Sequence, residues 1–160
     1  MRYLETLTTL FKQIAPDYPA NGIIAHWDHK FAHLTEPERT VRAAECLKFL
    51  YLRSKTGQGF IPLSGAVDEF WHAFILQTRE YAAFCQALPG GDFIHHNSIT
   101  LSEHAEQVSR EATVQRLLDW IPHYLEHFGP FTEHSAPHWM IVTLLQQAFG
   151  YTLEMINHLN

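Results

Sequence analysis

An acid and an imidazole four residues apart are the first candidates for chemistry in this sequence. Asp68 and His72 lie in the segment VDEFWHAFILQTREYAAFC, residues 67–85, whose apolar residues recur at helical spacing. Side chains at positions i and i+4 of a helix lie one above the other, within hydrogen-bonding reach. The pair therefore predicts either a buried hydrogen bond that fixes the histidine tautomer or part of a metal site.

Two further histidines, His95 and His96, follow a chain reversal at a double glycine. Seven or eight extended residues span at most roughly 23–28 Å, and the residues from His72 to Leu88 rise about 24 Å if they form one helix. An extended return can therefore bring a ring level with His72. Neighbouring side chains of an extended segment point in opposite directions, so we expect one of the two rings to face the pair.

Such a ring would complete a set of two histidines and one carboxylate. This set suits Fe²⁺ or Zn²⁺ and leaves coordination positions open for water or substrate. Arg79 lies on the same sector as Asp68 and His72 if the helix is continuous, so we expect it to anchor an anionic group. The sequence thus predicts a divalent-metal site that supports chemistry on a small molecule or a peptide.

The same residues also support hypotheses without a cofactor. In one, the protein is a non-enzymatic interaction module, and the cluster is a hydrogen-bond network that holds the extended segment against the helix. In another, partly buried imidazoles sense pH, because their burial disfavours protonation. The chain has 12 histidines, several times the number that average composition predicts. Three further pairs are four residues apart and are interpreted as a histidine-rich surface: His29/His33, His123/His127 and His134/His138.

The elements that must position these side chains are helices, because a period of 3.6 residues runs through nearly the whole chain. Predicted helices cover 2–14, 23–34, 36–54 and 65–88, and a stretch from a capping box at 100–103 to about 119 that restarts at Pro122. A last helical stretch covers 137–158, with Gly150 as a candidate break. Residues 92–99 are predicted to be extended. The predicted fold is all-α, a single compact bundle of about five to six helices over residues 1–160, with the extended His-His segment packed back on the central helix.

Composition excludes several classes of function. The chain has 160 residues and a formal net charge of -6, so it lacks the basic field that nucleic acid or an anionic membrane would require. No apolar run approaches the roughly 18 residues of a membrane span, and the N-terminus lacks the apolar region of a signal peptide. The two cysteines, Cys46 and Cys85, provide no disulfide framework, so we expect a reducing cytoplasmic location.

The 67–85 segment, followed by GGDFIHHNS, resembles the core of the glycine-rich-domain-containing protein family. The family pattern runs Val-Asp-x-x-Trp-His, Ile-Leu-x-Thr-x-x-Tyr-x-x-Phe-Cys and Gly-x-Phe-x-His-His, and the resemblance covers residues 39–97. Phe74 stands where many members have a second histidine. The resemblance implies a fold and a site rather than a reaction, with these matching positions: Asp68, Trp71, His72, Tyr81, Cys85, His95 and His96.

Overall fold

The computed structural model describes residues 2–57, 63–96 and 110–159. Helices make up the regular structure of these ranges, and no strand occurs in them. The predicted all-α fold is confirmed. No helix in these ranges has the length and apolar character needed to cross a membrane.

The described chain forms two compact units, of which the first contains residues 2–57 and 63–94. Thr35 and Glu38 form a capping box at the start of its longest helix, since each side chain accepts a hydrogen bond from the other residue's backbone N–H. Ser64 caps the fourth helix by accepting from the Val67 N–H. The five helices are α1 (Tyr3–Ile14), α2 (Asn21–Lys30), α3 (Glu36–Thr56), α4 (Gly65–Ile75) and α5 (Thr78–Ala87).

Aromatic rings fill the core of this first unit. The Trp27 indole N–H donates to the Phe70 carbonyl over 3.0 Å, and Phe31 stacks on Phe70 with ring centroids 3.9 Å apart. Phe74 packs edge-on against Trp27 at 5.4 Å. The apolar side of α4 is buried in this core. The opposite side of the helix carries its polar residues.

The prediction of one helix over 65–88 is wrong. Helix α4 ends at Ile75, and Gln77 has a non-helical ψ of 67° before α5 begins. The break brings Phe74 within 5.3 Å of the Tyr81 ring and 5.0 Å of the Phe84 ring. In a straight helix these pairs would be separated by a rise of about 10 and 15 Å. Aromatic packing therefore overrides the helical periodicity at this point.

The second unit comprises, among the described residues, His95, His96 and residues 110–159. Its core centres on Tyr124, which stacks on Phe131 at 3.9 Å, and Asn157 exchanges two hydrogen bonds with the Phe131 backbone. The predicted 137–158 helix is divided at Gly150, which has a φ of 68°. Its helices are α6 (Arg110–Leu118), α7 (Trp120–Phe128), a 3-10 helix (Ala136–His138), α8 (Met140–Phe149) and α9 (Leu153–Ile156).

Two predicted features fall outside the described residues. They are the extension of residues 97–99, and the capping box at 100–103 with the first part of the helix that it opens, up to residue 109. The last part of that predicted helix is described and is helical, as α6. Residues 92–96 lie within the described ranges and are not helical, as predicted.

Candidate metal centre

Asp68 and His72 lie on the polar side of α4, within its first two turns. Asp68 follows the Ser64 cap, and its backbone N–H donates to the Ser64 carbonyl over 3.0 Å. The Asp68 Oδ2 atom is 3.5 Å from His72 Nε2. The Asp68 side chain is 27% exposed and that of His72 is 55% exposed. The pair is therefore open to water on one side.

His96 joins this pair. One carboxylate oxygen of Asp68 and one ring nitrogen from each of His72 and His96 all lie within 4.8 Å of one another. His95 is exposed and does not belong to the group. The burial of these residues alternates as it does in an extended segment: Ile94 is buried, His95 exposed and His96 half-buried. Because Ile94 is buried, with 4% of its surface exposed, His96 is the ring turned toward the helix.

The position of His96 is limited by its closeness in sequence to Ile94, the last residue of the first unit. The boundary between the two units falls between Ile94 and His95, within one uninterrupted non-helical stretch of the chain. Two residues span at most about 7 Å, so His96 cannot move far from wherever Ile94 is held. The candidate centre therefore consists of Asp68 and His72 in α4 and of His96, two residues beyond Ile94.

Buried hydrogen bonds hold Ile94. The Trp71 indole N–H donates to the Tyr81 hydroxyl over 3.0 Å, and that hydroxyl donates to the Ile94 carbonyl over 2.6 Å. Farther back, the Gly90 N–H donates to the Ser54 hydroxyl over 2.8 Å. These contacts tie the extended return to α3, α4 and α5 before it reaches His96.

The nearby cysteines are not prepared for nucleophilic chemistry. Burial raises the pKa of the Cys46 thiol, and the negative charge of Asp68 raises it further. Burial also raises the pKa of the Cys85 thiol, although hydrogen bonding to the Ile94 backbone acts in the opposite direction. Both groups are therefore thiols at neutral pH and behave as small core residues.

The geometric basis for grouping Arg79 with the pair is wrong. That grouping assumed a continuous helix, whereas Arg79 lies in α5, beyond the break at Gln77. Arg79 is exposed, and the helical wheel of α4 does not extend to it. Its role as an anion anchor stays a prediction without this support.

In the part of the chain that the structure describes, the other histidine pairs do not form groups of three potential ligands. The single group found there is Asp68, His72 and His96. The Asp68 carboxylate and two neutral imidazoles are the donor types that zinc and non-haem iron accept. These three residues could therefore hold a metal ion.

Sequence reasoning missed the role of Tyr81. Trp71 and Tyr81 entered it as positions of the family pattern, and both are buried. The available signal was that buried indole N–H and phenol O–H groups need hydrogen-bond partners. Which partner each group finds depends on the break between α4 and α5, which the sequence pattern did not reveal.

The predicted kinship with the glycine-rich-domain-containing family is wrong, because a different family profile matches the chain. Three of the seven matching positions, Trp71, Tyr81 and Cys85, are buried core residues, and core packing by itself favours such residue types. No curated protein and no solved structure gives a significant match. The profile that matches is that of the UCP032817-like family, an uncharacterised family, and it matches residues 13–138. The chain therefore belongs to the UCP032817-like family.

Proposed function

We propose that the protein binds one divalent transition-metal ion, Zn²⁺ or Fe²⁺, through Asp68, His72 and His96. The observation that carries the proposal is the approach of three ligand atoms to within 4.8 Å of one another. The remaining coordination positions of the ion would be open to water and to a small-molecule or peptide substrate.

The distances are compatible with one shared ion. Ligand atoms about 2.0–2.2 Å from a tetrahedral ion lie about 3.4 Å apart. The Asp68–His72 separation of 3.5 Å already meets this value. The 4.8 Å limit on the separations within the group requires at most a modest rotation of a side chain, and His72 is exposed enough to rotate. The donor set and its spacing therefore both support the proposal.

The exposure of the pair weighs against a purely structural role. Partly exposed ion pairs contribute about 0–1 kcal/mol to stability, which is little for holding a chain segment in place. The buried bonds from Trp71 to Tyr81 and from Tyr81 to Ile94 are better suited to that task. Because the buried hydrogen bonds hold the segment in place, the exposed pair is available for another role, which supports Asp68, His72 and His96 as ligands.

A bound ion would act as a Lewis acid and lower the pKa of a coordinated water. The chain's own contribution is to fix three donors on one side and to leave the other side open to solvent. Asp68 supplies the negative charge that partly neutralises the ion, and the two imidazoles bind in their neutral form. Hydrolytic or other metal-assisted chemistry on a small molecule or a peptide is the activity class that follows.

An interaction module is the second candidate. It is favoured by one observation, namely that Asp68 and His72 already form an i,i+4 pair of the kind found on many helices. In that case His72→Ala should lower the free energy of unfolding without changing metal content, and a protein partner should bind the wild type and the folded variant equally.

Metal content of the untagged protein tests the proposal. After removal of metal and dialysis against Zn²⁺ with a weak chelator, we expect about one equivalent in the wild type by elemental analysis. His96→Ala should lose this equivalent, because two ligands hold the ion far less firmly than three. His95→Ala is the matched control, since it removes the adjacent exposed histidine and should keep the metal.

Equal metal content in the wild type, His96→Ala and His95→Ala would contradict the proposal. The chelator is needed because the chain contains 12 histidines, and exposed histidines bind Zn²⁺ weakly. Repeating the dialysis with Fe²⁺ under anaerobic conditions identifies which ion the site prefers.

A further inference from the structure

We infer that Tyr81 is a positioning residue for the metal centre, because its hydroxyl fixes Ile94 in the register that presents His96 rather than His95 to the α4 pair. This inference rests on the proposed function. It adds a residue that touches no ligand atom but determines whether the third ligand is in place.

The direction of the hydrogen bonds is determined by chemistry. An indole N–H can only donate, so the Tyr81 oxygen accepts the 3.0 Å bond from Trp71. Its single proton is then available for the Ile94 carbonyl at 2.6 Å. Trp71 is 1% exposed and Tyr81 fully buried. Each bond is therefore sheltered from water, and leaving either partner unsatisfied would be unfavourable.

Tyr81 also contacts the residue before Ile94. The Phe93 ring packs edge-on against the Tyr81 ring, with centroids 5.2 Å apart and planes at 85°. The Tyr81 side chain therefore contacts two successive residues of this segment, Phe93 and Ile94.

The register decides which histidine becomes a ligand. Side chains alternate along the segment: Ile94 is buried, His95 exposed and His96 partly buried. A slip of one residue would turn His96 outward and His95 inward. Because His95 and His96 carry the same ring, the ring type does not distinguish the two registers, whereas the burial of Ile94 and its hydrogen bond from Tyr81 do.

Binding of Co²⁺, followed by visible absorption, tests the inference. Tyr81→Phe keeps the ring and removes the hydroxyl, so we expect the Kd to rise by at least about tenfold, as removal of groups that orient ligands typically does. The absorption spectrum should also change, because His96 no longer reaches the ion in a fixed geometry. Tyr3→Phe is the matched control: Tyr3 is also buried and donates to a backbone carbonyl, that of Ile24, over 2.7 Å. It should leave the Kd and the spectrum unchanged.

A double-mutant cycle separates positioning from a general loss of structure. If Tyr81 acts through His96, then Tyr81→Phe should have little further effect on Co²⁺ affinity in a His96→Ala background. Equal losses in both backgrounds would overturn the inference. Trp71→Phe provides a second variant in case Tyr81→Phe does not fold. It removes the donor to the Tyr81 hydroxyl, and its effect on affinity should likewise disappear in the His96→Ala background.

NMR of the histidine rings in the metal-free protein tests this inference independently of metal binding, and so separately from the proposed function. Tyr81→Phe should shift the nitrogen resonances of His96, whereas Tyr3→Phe should not. A wild type that binds no Co²⁺ would overturn the proposed function. The positioning role alone would be overturned if the wild type binds Co²⁺ and Tyr81→Phe keeps both the same Co²⁺ affinity and the same His96 resonances.

Discussion

Asp68 combines two properties that can be separated by substitution. It carries a charge that a metal ion would need, and it lies beside His72 at a distance compatible with an ion pair. It is also close enough to Cys46 to raise the pKa of that thiol. Because the pair is partly exposed, the charge matters little for folding. Its principal effect should be on cation binding.

Asp68→Asn should therefore weaken metal binding much more than it weakens the fold. The substitution keeps the shape and one carbonyl oxygen but removes the charge that partly neutralises the ion. We expect the Kd for Zn²⁺ to rise at least about tenfold, comparable to the loss of a group that tunes a ligand, with a change in the free energy of unfolding below about 1 kcal/mol. Isothermal titration and urea unfolding measure the two quantities.

The adjacent Glu69 supplies the control for this substitution. It is an exposed acid on the same helix and lies outside the three-residue group. Glu69→Gln removes the same charge without touching the centre, so its Kd should match that of the wild type. Equal weakening in both variants would indicate that general electrostatics, rather than ligation, attracts the ion.

Asp68, His72 and one member of the pair His95/His96 could be selected from sequence. Asp68 and His72 are one helical turn apart, and a return past a double glycine leads back toward them. The length match behind this return assumed a continuous helix to Leu88, whereas the helix breaks at Gln77. The choice between His95 and His96 could not be made, because it depends on which side of the segment is buried. That side is determined by Ile94 and the Tyr81 hydroxyl, a contact between residues 13 positions apart with no local sequence signal.

At the scale of elements, the break between α4 and α5 is what brings the centre together. It places Tyr81 where its hydroxyl reaches Ile94, and it removes Arg79 from the sector of His72. No glycine or proline occurs between Ile75 and Thr78, so the local sequence gives no sign of the break. The cause is tertiary, since the Phe74, Tyr81 and Phe84 rings meet only if the helix turns.

The extended return begins at Gly90, and its position next to α3 requires the absence of a side chain. A Cβ atom at Gly90 would approach the Ser54 carbonyl oxygen more closely than real Cβ atoms do. The Gly90 N–H also donates to the Ser54 hydroxyl. The motif Pro89-Gly90-Gly91, which predicted the end of a helix and a reversal of the chain, therefore also contains a close contact between the return and α3.

Gly90→Ala should destabilise the fold and weaken the centre together. Overpacking against a backbone atom costs about 1–3 kcal/mol, and relief of the clash would displace the chain that leads to His96. Gly22→Ala is the control, because nothing lies within 4 Å of a Cβ at Gly22. As a helix residue, it should gain roughly 0.5–1 kcal/mol. Denaturant midpoints and Zn²⁺ affinity measured on both variants check this. Unchanged stability in Gly90→Ala would contradict the close contact.

At the scale of the whole molecule, the candidate centre is confined to a small part of the chain. It involves α4 and the end of the extended return, while the second unit has its own aromatic core around Tyr124 and Phe131. The family profile covers residues 13–138, which include every residue of the centre and every residue that anchors it. Helix α8 (Met140–Phe149) lies after this range and supplies an internal reference for any effect of metal.

Zinc should therefore stabilise the molecule locally. A ligand that binds only the folded state at about 100 times its Kd adds roughly 2.7 kcal/mol to the free energy of unfolding. We expect hydrogen exchange to slow in α4 and in residues 93–96 when Zn²⁺ is added, with little change in α8, because ligation restrains the segments that supply the ligands. Mass spectrometry of exchanged peptides measures this, with His96→Ala as the control. Equal protection in His96→Ala, or protection spread evenly through α8, would mean that zinc acts on the histidine-rich surface instead of on the three-residue centre.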